Sequence, residues 1–282
     1  GYRGSDGDVS YPNNIAFYGG SSTFSFHDND VDSWPFIAID CINESRDIQY
    51  QKLNFSHPGN SIFDAPHIFL QKGIHFKTEW IVTYHLWNDI KIIRALTEND
   101  NILFNTTPAY SSFTLKSLLL DLGIFPNLLG NINIVYKKYS NSGVYESYYK
   151  TDKKIEITES DVDIGLSKIK NNYDALIKLS PSNQKFLFIK QGLLLDKNND
   201  SYDSQIAWKL IGLNKEEFLN VQMKYYSMLD TLARDNTNVY ILNADDLIPK
   251  SLEMYEDHVH LQRKAQIILG DNVCNFIKKA LL

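Results

Sequence analysis

The stretch Asn14-Ile-Ala-Phe-Tyr-Gly-Gly-Ser-Ser-Thr23 decides the fold. Asn14–Tyr18 is a short apolar run, it stops at Gly19-Gly20, and small hydroxyl residues follow. That order is how a strand feeds a tight turn before a helix. Working outward, the alternation continues. Trp34–Asn43 carries apolar residues at helical spacing, and Asp47–Phe55 alternates as a second strand. The turn signal His57-Pro58-Gly59-Asn60 comes next, then a helix over Ser61–Gln71. Trp80–His85 is rich in β-favouring residues and ends at Trp87-Asn88-Asp89, which reads as a loop. Lys185–Lys190 is a strand, Lys215–Arg234 a long amphipathic helix, Val239–Asn243 a last strand and Gln262–Leu281 a C-terminal helix. Strand and helix in alternation predict a mostly parallel sheet covered on both faces, a three-layer α/β/α sandwich. Ligands in such sheets sit at the carboxyl ends of the strands, so Ser21, Gly59 and Asn88 belong on that rim.

Between Asn99 and Asn172 the pattern is rich in Asn, Ser, Tyr and Lys, with one amphipathic stretch at Phe113–Leu129. It has no closed core-like pattern of its own. The expectation is one domain over residues 1–282 with an insertion or helical cap at about 99–172.

Composition narrows the function classes. The 282 residues hold 28 Lys+Arg against 34 Asp+Glu, a net charge of -6, with 43% hydrophobic and 13% aromatic residues. No basic stripe is present to release counterions from a phosphate backbone, so a nucleic-acid partner is not expected. No run reaches the about 18 apolar residues of a spanning helix. The best candidate, Leu115–Tyr136, is broken by Lys116, Asp121, Pro126 and several Asn. The start Gly1-Tyr2-Arg3-Gly4 has no initiator Met and no signal-peptide pattern, and reads as processed or truncated. Cys41 and Cys274 have no metal-ligand spacing. A single disulfide and two buried free thiols are both open, with free thiols the expectation. Sequons at Asn43, Asn54, Asn105 and Asn199 are what chance provides in so Asn-rich a chain.

The chemistry lies at the two ends. Gly19-Gly20-Ser21 alone is a turn or a helix cap. Asp257-His258-Val259-His260-Leu261 alone is an acidic loop with two histidines. An Asp three residues before a His can orient the imidazole while its other nitrogen takes a proton from a serine. His258 and His260 alternate as metal ligands can, but no further His or carboxylate cluster stands at ligand spacing, so neither metal nor other cofactor is expected. His27, His57, His67, His75 and His85 have no recognisable partners and default to structural roles.

Taken in order, four segments resemble the SGNH (GDSL-like) hydrolases, bacterial branch. Ile15-Ala-Phe-Tyr-Gly-Gly-Ser-Ser-Thr23 is similar to the nucleophile segment, and Asn54-Phe-Ser-His-Pro-Gly59 to the glycine segment. Tyr84-His-Leu-Trp-Asn-Asp89 resembles the asparagine segment and Asp257-His-Val-His-Leu261 the terminal one. Gly1-Tyr2-Arg3-Gly4 is similar to a lead-in of that branch. The resemblance implies a flavodoxin-like α/β/α fold and a serine esterase working through an acyl-enzyme. Ser21 would be nucleophile, His260 general base and Asp257 its orienter. The backbone N–H groups of Ser21 and Gly59 with the Asn88 side chain would form the oxyanion hole. Gly20, Leu86, Trp87 and His258 are candidates for the substrate pocket, with His258 expected to be an exposed neighbour of the triad. Trp87 and Tyr84 either line the cleft or pack beneath it, and Asp89 fixes its loop.

Three residues depart from the family pattern. Gly20 stands where Asp is frequent, Leu86 where the Gly-x-Asn-Asp segment has glycine, and Ser25 where many relatives carry glycine. Leu86 is expected to narrow the acyl pocket or shift the Asn88 segment. The resemblance implies an ester substrate, with a small O-acyl group on carbohydrate preferred, and a secreted or cell-envelope setting. An O-acyltransferase using the same triad and a non-catalytic binding module are the alternatives. Oligomeric state is not legible.

Overall fold

A computed structural model of the chain describes residues 7–25, 28–44, 48–98, 157–195, 200–202, 206 and 211–280. The Gly1–Gly4 lead-in, His27, the sequons at Asn105 and Asn199, the stretches Leu115–Tyr136 and Phe113–Leu129, and most of the expected insertion lie outside these residues.

Five strands form one parallel sheet: β1 (Asn14–Gly19), β2 (Gln51–Asn54), β3 (Thr78–His85), β4 (Lys185–Lys190) and β5 (Val239–Asn243). Their spatial order is β2-β1-β3-β4-β5. The chain therefore reverses its direction of progress across the sheet between β1 and β3. Crevices in open α/β sheets open at such a reversal. The α/β/α sandwich expected from the sequence is the architecture found.

Side-chain alternation along β1 assigns the two faces. Ile15 and Phe17 point to one apolar layer, Ala16 and Tyr18 to the other. The first layer is closed by α2 (Trp34–Glu44) and α8 (Arg263–Ala280), which meet through Trp34, Ala38 and Ile42 and through Leu269, Val273 and Ile277. The second is closed by α3 (Ala65–Gln71), α4 (Trp87–Glu98), α5 (Glu159–Leu179) and α6 (Lys215–Asp235). Two short helices, α1 (Ser21–Phe24) and α7 (Ala244–Leu247), follow directly on β1 and β5. Helices α5 and α6 each begin with a reciprocal capping box, Thr158 with Asp161 and Asn214 with Glu217. Residues 159–172, placed by the sequence pattern in the inserted region, are the first part of α5. They bury Val162, Leu166 and Ile169 against the sheet.

Two expectations change. Trp87-Asn88-Asp89 is the first turn of α4 rather than a loop, because the carbonyl of Leu86 accepts the first helical bond from Ile90 N–H at 2.9 Å. Cys41 and Cys274 are not free thiols. They form a disulfide with Cα atoms 6.1 Å apart across 233 residues. The pairing follows from α2 and α8 lying side by side on one face, which linear spacing does not reveal. No helix among the described residues is long and apolar enough to cross a membrane.

The disulfide closes most of the chain into one loop and ties the helix after β1 to the last helix. Removing it by Cys41→Ser with Cys274→Ser, or by reductant, is expected to lower unfolding free energy by about 2–5 kcal/mol. Urea unfolding with and without reductant checks this.

Candidate active site

Ser21 is the first residue of α1, set at the carboxyl end of β1 by the Gly19-Gly20 turn. Asp257 and His260 lie in a short loop before α8. The base of that loop is pinned by the antiparallel bridge between buried Tyr255 and Leu261 and by Glu256 N–H donating to His260 O at 2.9 Å. Asp257 Oδ1 accepts from the backbone N–H groups of Val259 and His260, both at 2.8 Å. Its Oδ2 lies 2.7 Å from His260 Nδ1, and His260 Nε2 lies 2.8 Å from Ser21 Oγ. The tautomer that satisfies both contacts carries its proton on Nδ1, donates to Asp257 and accepts from the Ser21 hydroxyl. Desolvation alone would raise the Asp257 carboxyl. The bonds from the His260 ring and from the Val259 and His260 N–H groups outweigh it, holding Asp257 well below the ordinary carboxylate range. The carboxylate thus stays ionised beside the ring.

The asparagine and glycine segments meet beside Ser21. Asn88 Nδ2 donates to Asn60 O at 2.8 Å, leaving its second N–H uncommitted by that bond. A Cβ on Gly20 would stand 2.5 Å from Asn88 Nδ2 and 3.0 Å from Asn60 O. Glycine there leaves room for the Asn88 amide. Gly59 has φ +88° and sits in a turn closed by Asn60 N–H donating to His57 O at 3.0 Å. Pro58 before Gly59 is the residue order of a type II turn. A Cβ on Gly59 would meet nothing within 4 Å, so backbone conformation rather than crowding calls for glycine. Ser25 also adopts a left-handed conformation, φ 52°, where glycine is the easier residue.

A small cavity opens at this point, walled by Gly20, Ser21, Leu86, Trp87, Asn88 and Gln191 among others. Leu86 reaches that wall, yet its side chain is fully buried in the α3–α6 layer. Trp87 both lines the cavity and packs on Phe218 at 5.6 Å between ring centroids. Tyr84 also lines the cavity, while its side chain packs in the opposite layer. His258 is half-buried rather than exposed. Its ring meets Trp87 edge-on at 4.2 Å, with Nε2 buried. Burial lowers the His258 ring to about 4 despite the opposing pull of Asp257, which keeps it neutral near pH 7. Burial likewise lowers His85 to about 3.

Asp89 fixes its surroundings, as expected, by contacts the sequence did not reveal. It accepts from Ile62 N–H at 2.8 Å and from Tyr225 OH at 2.7 Å, and Tyr225 OH lies 2.8 Å from Tyr173 OH. A fully buried carboxylate held in these bonds couples α4, α5, α6 and the glycine loop. Gln191 and Ser22 were missed as well. Both are polar and 4% exposed beside the cavity, but neither stands in a motif.

No family model matches the sequence, and no curated protein matches it. Solved structures do. An acetyl xylan esterase is 16% identical with a TM-score of 0.52, covering 95% of this chain and 100% of that one. A GDSL-like lipase from Bacteroides thetaiotaomicron VPI-5482 is 11% identical, TM-score 0.52, covering 95% and 88%. A member of the lipolytic protein G-D-S-L family from Veillonella parvula DSM 2008 is 9% identical, TM-score 0.51, covering 95% and 99%.

Burial raises Asp89 to about 7, against partial relief from Tyr225 and Ile62. An acid whose folded pKa exceeds its unfolded value of about 4 binds its proton more tightly when folded. Its contribution to stability is therefore present below pH 4 and is lost as pH rises toward 7. Asp89→Asn keeps an acceptor for Ile62 and a polar partner for Tyr225, and is expected to flatten stability across that window. Denaturant titrations of both proteins from pH 4 to pH 8 check it. The fold on which these residues are arranged is that of the GDSL-type hydrolases.

Proposed function

We propose that this chain is a serine esterase of the SGNH type, acting on small O-acyl esters, with carbohydrate-borne acetyl the favoured substrate. One observation carries the reading. Ser21, His260 and Asp257 form an unbroken hydrogen-bond chain at the mouth of a small cavity, beside the amide of Asn88. That is the arrangement an acyl transfer to serine requires.

In this reading Ser21 Oγ attacks the ester carbonyl carbon as its proton passes to His260 Nε2. The carbonyl oxygen becomes an oxyanion, for which the Ser21 and Gly59 N–H groups and the Asn88 amide are the donors. When the tetrahedral intermediate collapses, the C–O bond to the alcohol breaks and His260 returns the proton to the leaving oxygen. Water then attacks the acyl-enzyme, giving its proton to His260. The carboxylic acid leaves and Ser21 regains its hydrogen. Asp257 holds the ring throughout and stabilises the imidazolium. No cofactor enters these steps.

The preference for a small acyl group draws on the acetyl xylan esterase among the similar structures. The disulfide supports a secreted or cell-envelope setting, because such bonds persist in oxidising compartments.

Hydrolysis of p-nitrophenyl acetate should exceed that of the butyrate, and Ser21→Ala should abolish both. Equal turnover by Ser21→Ala sinks the assignment. Asn88→Ala should lower kcat by about 10²–10³. Gly20→Ala should also lower kcat, since its Cβ crowds the Asn88 amide and the Asn60 carbonyl.

A further inference from the structure

The geometry points to Gln191 as a positioning residue, a single buried amide that clasps the nucleophile and asparagine segments and, through Ser22, the histidine segment. The inference rests on the esterase reading above.

Gln191 is the residue directly after β4. Its Oε1 accepts from Trp87 N–H at 3.0 Å and its Nε2 donates to Ser22 Oγ at 3.2 Å. Ser22 Oγ in turn donates to Val259 O at 3.1 Å. Each partner is the immediate chain neighbour of a functional residue: Ser22 follows Ser21, Trp87 precedes Asn88, and Val259 precedes His260. Gln191 is itself held, since Tyr226 OH donates to its backbone carbonyl at 2.6 Å and Gln222 Nε2 donates to Tyr226 OH at 2.9 Å.

The first N–H groups of a helix have no partner within it, and a polar side chain usually supplies one. Trp87 is the first residue of α4, and its N–H takes its acceptor from Gln191, at the end of the strand paired with β3. Losing that bond frees the first turn of α4, which carries Asn88. Misplacement of a reacting group by about 1 Å can cost on the order of 10²-fold in rate.

The test uses Gln191→Met, which keeps length and loses both hydrogen bonds, and Gln191→Glu. A protonated Glu reproduces both bonds, its carbonyl accepting from Trp87 and its hydroxyl donating to Ser22. An ionised Glu cannot donate. With p-nitrophenyl acetate as substrate, Gln191→Met should lower kcat by about 10–10²-fold with KM little changed. The ratio of Gln191→Glu to intact activity should fall as pH rises. Denaturant midpoints of both proteins at each pH separate that tilt from a loss of folded protein. Intact kcat in Gln191→Met, or a ratio flat in pH, overturns the proposal. If the intact chain turns over no ester, the esterase reading fails on its own. Amide exchange at Trp87 then decides: faster exchange in Gln191→Met sustains the clasp, and unchanged exchange overturns it.

Discussion

The contact between Ser21 Oγ and His260 Nε2 joins residues 239 positions apart, and most of the architecture serves to make it possible. Ser21 needs β1 buried in the middle of the sheet so that the Gly19-Gly20 turn projects from a rigid edge. His260 needs a loop stiff enough to hold an imidazole at one angle. That stiffness comes from a carboxylate accepting three hydrogen bonds within four residues, over a base formed by Tyr255 and Leu261. Both parts end up at the reversal of strand order, where two parallel strands diverge and a crevice must form.

The other side of the site depends on space rather than charge. Gly20, Asn60 and the Asn88 amide are so close that a single added carbon would displace one of them. Beneath them Asp89 is buried and raised to about 7, a state that lowers stability near neutral pH. Its partners Ile62 and Tyr225 lie on the glycine loop and on α6. Perturbed acids of this kind concentrate where a protein holds functional groups in place. The two short-range devices, carboxylate loop and glycine gap, thus fix the His260 ring against Ser21 and leave room for the Asn88 amide.

The faces of the sheet divide the labour. The α2 and α8 side is small, densely packed and stapled by Cys41–Cys274. Gln266 on α8 reinforces it by accepting from Trp34 N–H and Ser25 Oγ, which supports the strained turn after α1. The wider α3–α6 side carries Asp89, Tyr225 and Trp87, where buried polar groups reach from helix to helix beneath the cavity.

The linear order of residues determined the strands and helices, because periods of two and of three to four in apolar residues dictate which face is buried. It determined the Pro58-Gly59 turn, since φ is set by the ring of one residue and left free by the missing Cβ of the next. It also determined the Asp257–His260 pair, which are three residues apart and meet locally. The tertiary structure alone decided the rest. The Cys41–Cys274 bond, the Asp89–Tyr225 contact and the Gln191 clasp each join segments whose separation in sequence carries no sign of contact. The start of α4 at Trp87 was hidden for the same reason. Its first N–H is satisfied by a glutamine 104 residues away, and a partner brought in by packing leaves no mark on the local sequence.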